Sequence, residues 1–195
     1  KKAVMITAAS ESFTYDGTSK SNSNFTVTGL VGSDDLDAVV SGSIKYPSES
    51  PVVNKVMSHS FVVGLAGNYN VSYTDGALTM NTAAIAITVT ADDNSKVYDG
   101  TPLTDSGWTL TSGTLISGDV LQVTVVGSIT NVGTVDNVIT FVKVMNGAVD
   151  VTANYNITEI DGELEITKRP ATIVVDNASK VFGTTDPTFT GTVSN

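Results

Sequence analysis

The chain has no cysteine among its 195 residues. This excludes disulfide bridges, thiolate zinc sites and a cysteine nucleophile. It has one histidine, His59, so metal sites built on two histidines are also excluded. His59 has no counterpart in the second half of the chain, and we expect it at an exposed strand or loop position.

Charge is scarce as well. Charged residues make up 15% of the chain, and 20 acidic residues against 10 basic ones give a net charge of −10. Nucleic acids and anionic membranes need a basic surface, so neither is an expected partner. No apolar run approaches the roughly 18 residues of a membrane-spanning helix, so no membrane insertion is expected. The start, Lys1–Val4, reaches polar Ser10 too soon for a signal peptide, which predicts an internal piece of any exported parent.

Valine, threonine, serine, asparagine and 17 glycines take the place of the missing charge. Branched side chains suit pleated strands, and no segment has helical apolar spacing with caps. The sequence therefore predicts an all-β fold of tandem small β-sandwich (Ig-like) modules, with a β-grasp-like sheet as the alternative. Strands of one module are predicted at 85–90, 108–111, 120–126, 138–145, 155–160 and 163–167.

An internal repeat organises the chain. The motif YDGT at Tyr15–Thr18 recurs at Tyr98–Thr101, 83 residues later, and Asn68–Val71 recurs as Asn154–Ile157, 86 residues later. Matched motifs that occur in the same order, at a spacing that changes by only a few residues, indicate homologous modules with small loop insertions. We therefore expect two related modules in this chain.

The positions of the repeated motifs give the predicted domain boundaries. Repeat one covers 1–82, repeat two covers 83–169, and 170–195 is the truncated start of repeat three. The third copy is indicated by Lys180–Phe182, which echoes Lys96–Tyr98. The junctions are short, which restricts relative motion and predicts a string of modules.

The shared motifs are typical of turns. In YDGT, aspartate can accept from the amides of its own turn, glycine permits a positive φ, and the tyrosine hydroxyl can reach a backbone acceptor. Asp75-Gly76 and Asp161-Gly162 predict type I′ hairpins between the strands on either side of them. Gly118-Asp119 and Asn146-Gly147 predict further turns. The motifs thus predict structural corners rather than ligand sites.

Three segments of repeat two, at 96–101, 150–157 and 162–169, carry a family resemblance. They are similar to the YDG/MBG-type tandem repeats of bacterial secreted or surface adhesin-like proteins. Repeat one is more divergent, and Gly183 directly after Phe182 resembles a variant of the MBG type. The resemblance implies extracellular spacer or adhesion modules, and it transfers no catalytic residues and no cofactor.

Two kinds of special chemistry are open. The acidic turns Asp34–Asp37 and Asp92–Asn94 offer hard oxygens for Ca²⁺, although the spacing of an EF-hand is absent. A self-formed Lys–Asn amide would suit a cysteine-free surface protein, with Lys143 and either Asn137 or Asn156 as members. Nothing indicates paired catalytic carboxylates, so an enzyme is not expected, and no catalytic, cofactor or metal residue is assigned.

The predicted function is structural: a spacer that holds a binding region of an adhesin-like protein away from a bacterial cell. The expected partners are neighbouring repeats, while other parts of the parent would bind a host, matrix or glycan ligand. The expected location is extracellular or on the cell surface. The alternative is a direct adhesive or carbohydrate-binding module, for which Trp108, Tyr46 and Tyr73 are the aromatic candidates. Trp108 is expected in the core, because it begins an apolar strand.

Overall fold

A computed structural model describes residues 1–194; Asn195, the last residue of the predicted third repeat, lies outside the described residues. The described chain is all-β, as predicted, with three single turns of 3-10 helix at Pro47–Glu49, Ala66–Asn68 and Thr152–Asn154. Across residues 1–194, no helix is long and apolar enough to cross a membrane.

Seven strands lie within repeat one. They are β1 (Lys2–Ala8), β2 (Glu11–Thr14), β3 (Phe25–Thr28), β4 (Asp35–Ser41), β5 (Val52–Val63), β6 (Tyr69–Thr74) and β7 (Gly76–Asn81). They form two sheets, in the orders β3-β1-β6 and β2-β7-β5-β4. The β1–β6 and β2–β7 pairs are parallel, and β1–β3, β4–β5 and β5–β7 are antiparallel.

Alternating side chains of β1 fill the space between the two sheets. Val4 and Ile6 of β1 are buried against Leu36 of β4, Val56 of β5 and Tyr69 of β6. An alternation of buried and exposed residues is what a strand with one face on a core requires. The arrangement is that of a small sandwich held by apolar packing.

The strands of repeat two follow the same plan. They are β8 (Ile85–Ala91), β9 (Asn94–Val97), β10 (Trp108–Ser112), β11 (Asp119–Val126), β12 (Gly133–Asn146), β13 (Val149–Asp150), β14 (Tyr155–Ile160) and β15 (Gly162–Thr167). The sheet orders are β10-β8-β14 and β11-β12-β15-β9, with β13 added to β12. All six predicted strands are present, and β9 and β13 are additional. Apart from β13, the topology repeats with the sequence.

The third segment contains β16 (Thr172–Val175) and β17 (Gly191–Ser194), which pair antiparallel. Large apolar side chains on both strands are exposed, among them Ile173 at 71% and Val193 at 69%. The boundaries of the three repeats as separate domains stay a prediction, because internal contacts divide the chain differently.

Those contacts define two compact units. The first contains 1–88, 110–122 and 142–158; the second contains 89–109, 123–141 and the chain from Glu159 onward. The first unit therefore contains residues of both repeat one and repeat two. One of its buried clusters draws equally on the two repeats. Its members are Tyr15, Ile44, Leu78 and Met80 from repeat one and Ile87, Val144, Val151 and Tyr155 from repeat two.

The two Asp-Gly hairpins predicted by the sequence are wrong. β6 and β7 belong to different sheets, as do β14 and β15. Asp75 accepts the backbone N–H of Val56 at 2.9 Å, so it fixes a crossing between sheets. A Cβ on Gly162 would lie 2.5 Å from the carbonyl oxygen of Asp92. Glycine is needed there because the two backbones approach closely. The Asp-Gly dipeptide alone does not show whether its glycine serves such an approach or a hairpin turn.

Candidate functional site

The most distinctive polar group of the first compact unit is Asp119, at the start of β11. It is 8% exposed and follows Gly118, whose φ of 89° forms the predicted turn. Its Oδ1 accepts the Tyr15 hydroxyl at 2.8 Å and the Asn146 side-chain amide at 2.7 Å. Its Oδ2 accepts the Tyr155 hydroxyl at 2.7 Å. Three donors thus converge on one buried carboxylate, two from repeat two and one, Tyr15, from repeat one.

A second layer surrounds this carboxylate. The Asn146 Oδ1 accepts from the Tyr46 hydroxyl at 2.9 Å and from Lys45 Nζ at 3.1 Å. The Tyr46 ring lies 6.2 Å from the Tyr15 ring, and Lys45 Nζ lies 4.9 Å from the centre of the Tyr46 ring. We call the group Tyr15, Lys45, Tyr46, Asp119, Asn146 and Tyr155 the Asp119 joint. Each of the two repeats contributes three of its residues.

The YDGT motif explains how Tyr15 reaches the joint. Asp16 Oδ1 accepts the Thr18 N–H at 2.9 Å, and Gly17 has a φ of 82°, so the predicted turn is confirmed. The Tyr15 N–H donates to the Asn81 carbonyl at 3.0 Å, which ties the turn to the end of β7. The predicted backbone acceptor for the tyrosine hydroxyl is wrong, since the acceptor is the carboxylate of Asp119.

The joint is built to hold protons in place rather than to transfer them. Burial, and then the hydrogen bond to Asp119, raises the pKa of Tyr155 to about 12. The same two causes, in the same order, hold the pKa of Tyr15 far above its ordinary value. Both hydroxyls therefore remain protonated donors well into the alkaline range, and the carboxylate they cover is only 8% exposed. This arrangement suits a permanent structural contact.

These pKa shifts predict an alkaline limit to stability. A raised pKa in the folded state means that the stabilisation is complete below the unfolded value of 10.0 and is lost as the pH rises toward about 12. We expect the free energy of unfolding to fall as the pH rises across this window. In Tyr155→Phe this fall should be less steep, because one of the groups that titrates there has been removed. Denaturant titrations at several pH values measure this, with Tyr73→Phe as a surface control. Equal slopes for wild type and Tyr155→Phe would contradict it.

Repeat one contains a counterpart of the central pair. Tyr69 donates its hydroxyl to Asp34 Oδ2 at 2.6 Å and accepts the Val31 N–H at 3.2 Å. In repeat two, Tyr155 donates to Asp119 Oδ2 and accepts the Ile116 N–H at 2.9 Å. The internal part of the joint is therefore repeated. Asp34, however, is only half-buried.

Tyr98 is the counterpart of Tyr15 and has the same local structure. Its N–H donates to the Thr167 carbonyl at 2.9 Å, Asp99 accepts the Thr101 N–H at 2.9 Å, and Gly100 has a φ of 83°. Tyr98 is nevertheless 39% exposed, whereas Tyr15 is 2% exposed. The tyrosine of this turn is thus buried in repeat one and exposed in repeat two.

The acidic turns proposed for Ca²⁺ have other partners. Asp34 accepts from Tyr69, Asp93 Oδ1 accepts the Glu163 N–H at 2.7 Å, and Asp92 lies on the exposed turn before β9. Within the described range, 1–194, no three acidic or histidine side chains come together in a way that could hold a metal ion. Asp34, Asp92 and Asp93 therefore belong to turns, whereas Asp35 and Asp37, predicted in the same acidic turn as Asp34, lie on strand β4.

The proposed Lys–Asn cross-link is not supported by the positions of its members. Lys143 pairs with Asp150 at 3.2 Å. Asn137 is on the same strand six residues earlier, about 20 Å away in extended chain, and its amide donates to the Asp92 carbonyl. The Asn156 amide instead donates to the Ala84 carbonyl, at 3.4 Å.

The aromatic candidates separate in the structure. Tyr46 belongs to the Asp119 joint, and Trp108 is half-buried on β10, short of the core position predicted for it. Tyr73 is 46% exposed, and its hydroxyl lies 2.6 Å from Nδ1 of His59. His59 lies on strand β5, and its side chain is half-buried.

Comparison with protein-family models, with curated proteins and with solved structures finds no match. Inference about function therefore depends on the sequence repeat and on the geometry of the Asp119 joint. Four members of the joint lie in turns or strands that the sequence predicts: Tyr15, Asp119, Asn146 and Tyr155. Their meeting could not be predicted, because no local sequence pattern links them.

Proposed function

We propose that this chain is a structural spacer from a bacterial cell-surface or secreted adhesin-like protein, holding a binding region away from the cell. The observation that carries the proposal is the hydrogen bond from Tyr15 of repeat one to the buried Asp119 of repeat two. The assignment to a surface protein depends on the YDG/MBG resemblance described above.

A spacer must resist bending at its junctions. A short linker limits how far two modules can move apart, but it does not fix the angle between them, because few contacts cross it. Here an apolar cluster with members from both repeats surrounds a directional hydrogen bond. Hydrogen bonds fix angles that apolar packing alone leaves adjustable. The joint therefore supports a stiff connection between repeat one and repeat two.

A spacer must also resist extension. Within repeat one, β1 pairs in parallel with β6, from Lys2 opposite Tyr69 to Thr7 opposite Thr74. Tension between the start and the end of the repeat acts along this ladder, so its hydrogen bonds share the load instead of opening one at a time. The parallel β2–β7 pair adds a second ladder of the same kind.

Direct carbohydrate binding has less support. Of the three aromatic candidates, Tyr73 alone is exposed, and its hydroxyl is engaged with His59. Two polar concavities of the second compact unit lie at Asp93–Ser95 with Glu163 and Glu165, and at Thr104–Ser106 with Val125–Gly127. Neither contains an aromatic side chain on which a sugar ring could stack.

Single-molecule extension tests the mechanical role. The chain is held at its two ends and stretched, and we expect repeat one and repeat two to unfold in one cooperative event. Tyr15→Ala should separate this event into two at lower force, because it removes the buried ring and the hydrogen bond to Asp119 that help to join the repeats. Tyr98→Ala, the same change in the uncovered turn, is the matched control and should leave the single event intact. Two independent events in the wild-type protein would overturn the proposal.

A further inference from the structure

We propose that Lys45 and Asn146 react to form an amide bond between their side chains, which links repeat one covalently to repeat two. The sequence left such a bond open with other members, Lys143 and either Asn137 or Asn156, and the structure holds those apart. It brings a different lysine and a different asparagine into contact, inside the joint described above. The bond would strengthen the spacer role, but its chemistry does not depend on that role.

The two reacting side chains already touch. Lys45 Nζ lies 3.1 Å from Oδ1 of Asn146, and Oδ1 is bonded to Cγ, the carbon that the nitrogen attacks. Asn146 is buried, so its amide is largely shielded from water. Among the described residues, 1–194, four lysines pair with carboxylates, and Lys45 is not one of them. Its nitrogen is therefore directed at the amide rather than at a counter-ion.

Tyr46 supplies a donor for the oxygen of this amide. Its hydroxyl donates to Oδ1 of Asn146 at 2.9 Å. Negative charge moves onto Oδ1 when a nitrogen attacks Cγ, and a hydrogen-bond donor already in place stabilises that charge. Glu49 Oε2 accepts the backbone N–H groups of Lys45 and Tyr46, at 2.8 and 3.0 Å. One fixed turn thus presents both the nucleophile and the donor.

Asp119 supplies a carboxylate for proton transfer. Its Oδ1 accepts from Nδ2 of Asn146 at 2.7 Å, and Nδ2 is the nitrogen that must leave. In the tetrahedral intermediate both nitrogens are bonded to Cγ, so a carboxylate that contacts one of them is within reach of the other. A carboxylate in this position can take a proton from the attacking nitrogen and give it to the leaving one.

The reaction needs no cofactor and no oxidant. The Lys45 ammonium first releases one proton to solvent, and the resulting amine forms a bond from Nζ to Cγ of Asn146. Asp119 transfers a second proton from Nζ to Nδ2 as the bond between Cγ and Nδ2 breaks. Nδ2 leaves as ammonia and takes up one proton from solvent. The products are one secondary amide and one ammonium ion, so atoms and charge balance.

Neither repeat contains this set of groups alone. In repeat two, Thr130 and Asn131 stand at the positions of Lys45 and Tyr46, and they supply neither an amine nor a phenol. In repeat one, strand alignment places Val63 where repeat two has its asparagine. The amide bond is therefore specific to the contact between repeat one and repeat two.

The intact mass of the denatured 195-residue protein tests the proposal. We expect the wild type to be lighter than its sequence requires by one ammonia. Lys45→Arg should have its full mass, because it keeps the positive charge but lacks the primary amine. Asn146→Ala should also have its full mass, because it lacks the carbon that is attacked. Lys143→Arg, which changes the lysine of the alternative pair, is the matched control and should lose ammonia as the wild type does.

Tryptic peptides identify where the ammonia was lost. Closure of Asn146 onto the backbone nitrogen of Gly147 would release ammonia as well, but it leaves the peptide linear. Trypsin cuts after unmodified lysine, so the cross-linked protein should give one branched peptide in which 21–55 is joined to 144–168. Tandem mass spectrometry of that peptide locates the bond.

Two further variants test the assigned chemistry and leave both reacting side chains in place. Asp119→Asn removes the carboxylate with little change of shape, and we expect it to keep its full mass. Tyr46→Phe keeps the ring and removes the donor to Oδ1. We expect it to accumulate the lighter form about 10²-fold more slowly than the wild type, the usual effect of one lost oxyanion donor. Mass spectra of samples taken at intervals measure both.

Three results would each overturn the cross-link: a wild type at full mass, a loss of ammonia that persists in Lys45→Arg, or linear peptides alone. None of them would touch the spacer proposal, because the hydrogen bonds and the shared cluster join the repeats without the covalent bond. In the stretching experiment the bond appears separately. The wild type should extend less than Lys45→Arg, because the chain between linked residues carries no load.

Discussion

Asp119→Ala is expected to lower the free energy of unfolding by about 4 kcal/mol, since a buried donor left without an acceptor costs about 1–3 kcal/mol. Three donors lose their acceptor at once: the hydroxyls of Tyr15 and Tyr155 and the side-chain amide of Asn146. Local relaxation and entry of water recover part of the sum. Chemical denaturation at neutral pH measures the loss.

The repeat supplies the matched control for this variant. Asp34→Ala removes the corresponding carboxylate in repeat one, where it accepts the Tyr69 hydroxyl and is half-buried. We expect a loss of about 1 kcal/mol, the ordinary value for one partly solvated hydrogen bond. Equal losses for Asp34→Ala and Asp119→Ala would show that the contact between repeats adds nothing to the carboxylate's role.

Tyr15→Ala should have an effect of similar size for a different reason. Truncation of a fully buried aromatic side chain costs about 3–5 kcal/mol through lost transfer energy and the cavity that remains, and Tyr15 is 2% exposed in the shared cluster. We also expect the unfolding transition to broaden or divide, because this side chain couples repeat one to repeat two. Equilibrium unfolding followed by fluorescence of Trp108, which lies in repeat two, and by circular dichroism of the whole chain reports both effects.

Tyr98→Ala isolates the contribution of the covering repeat. Tyr98 has the same residue type and the same local turn as Tyr15, but it is 39% exposed. Its truncation therefore loses less buried apolar area, and we expect the free energy of unfolding to fall by less than about 2 kcal/mol. Tyr15→Phe adds a third comparison, because it keeps the ring and removes only the hydrogen bond to Asp119. If Tyr15→Ala and Tyr98→Ala proved equally destabilising, the shared cluster would have no energetic role.

The sequence predicted what short-range chemistry determines. Alternating branched residues identified the strands of repeat two, and YDGT identified a turn with a positive φ at its glycine, because both depend on a few adjacent residues. The Asp-Gly prediction failed because that dipeptide gives a turn but does not specify whether the next strand stays in the same sheet. At Asp75-Gly76 and at Asp161-Gly162 the next strand lies in the other sheet.

The Asp119 joint could not be predicted from such short-range patterns. Tyr15 and Asp119 are 104 residues apart in the sequence. Asp119 and Asn146 are residue types that are common in turns, so nothing in the sequence marks them as partners of a distant tyrosine. The sequence also presents Tyr15 and Tyr98 as equivalent, since both begin the same motif. Only the three-dimensional contact shows that one is covered by the following repeat, while the other is open.

The asymmetry of the joint has a consequence for how such a chain changes its length over evolutionary time. Repeat one supplies a tyrosine to the repeat that follows it, and repeat two supplies an aspartate to the repeat before it. A duplication of one whole repeat would keep each tyrosine opposite an aspartate. It would not reproduce the rest of the joint, because repeat two has Thr130 and Asn131 where repeat one has Lys45 and Tyr46, and repeat one has Val63 where repeat two has Asn146. A new junction would therefore be weaker than the Asp119 joint unless those positions changed as well.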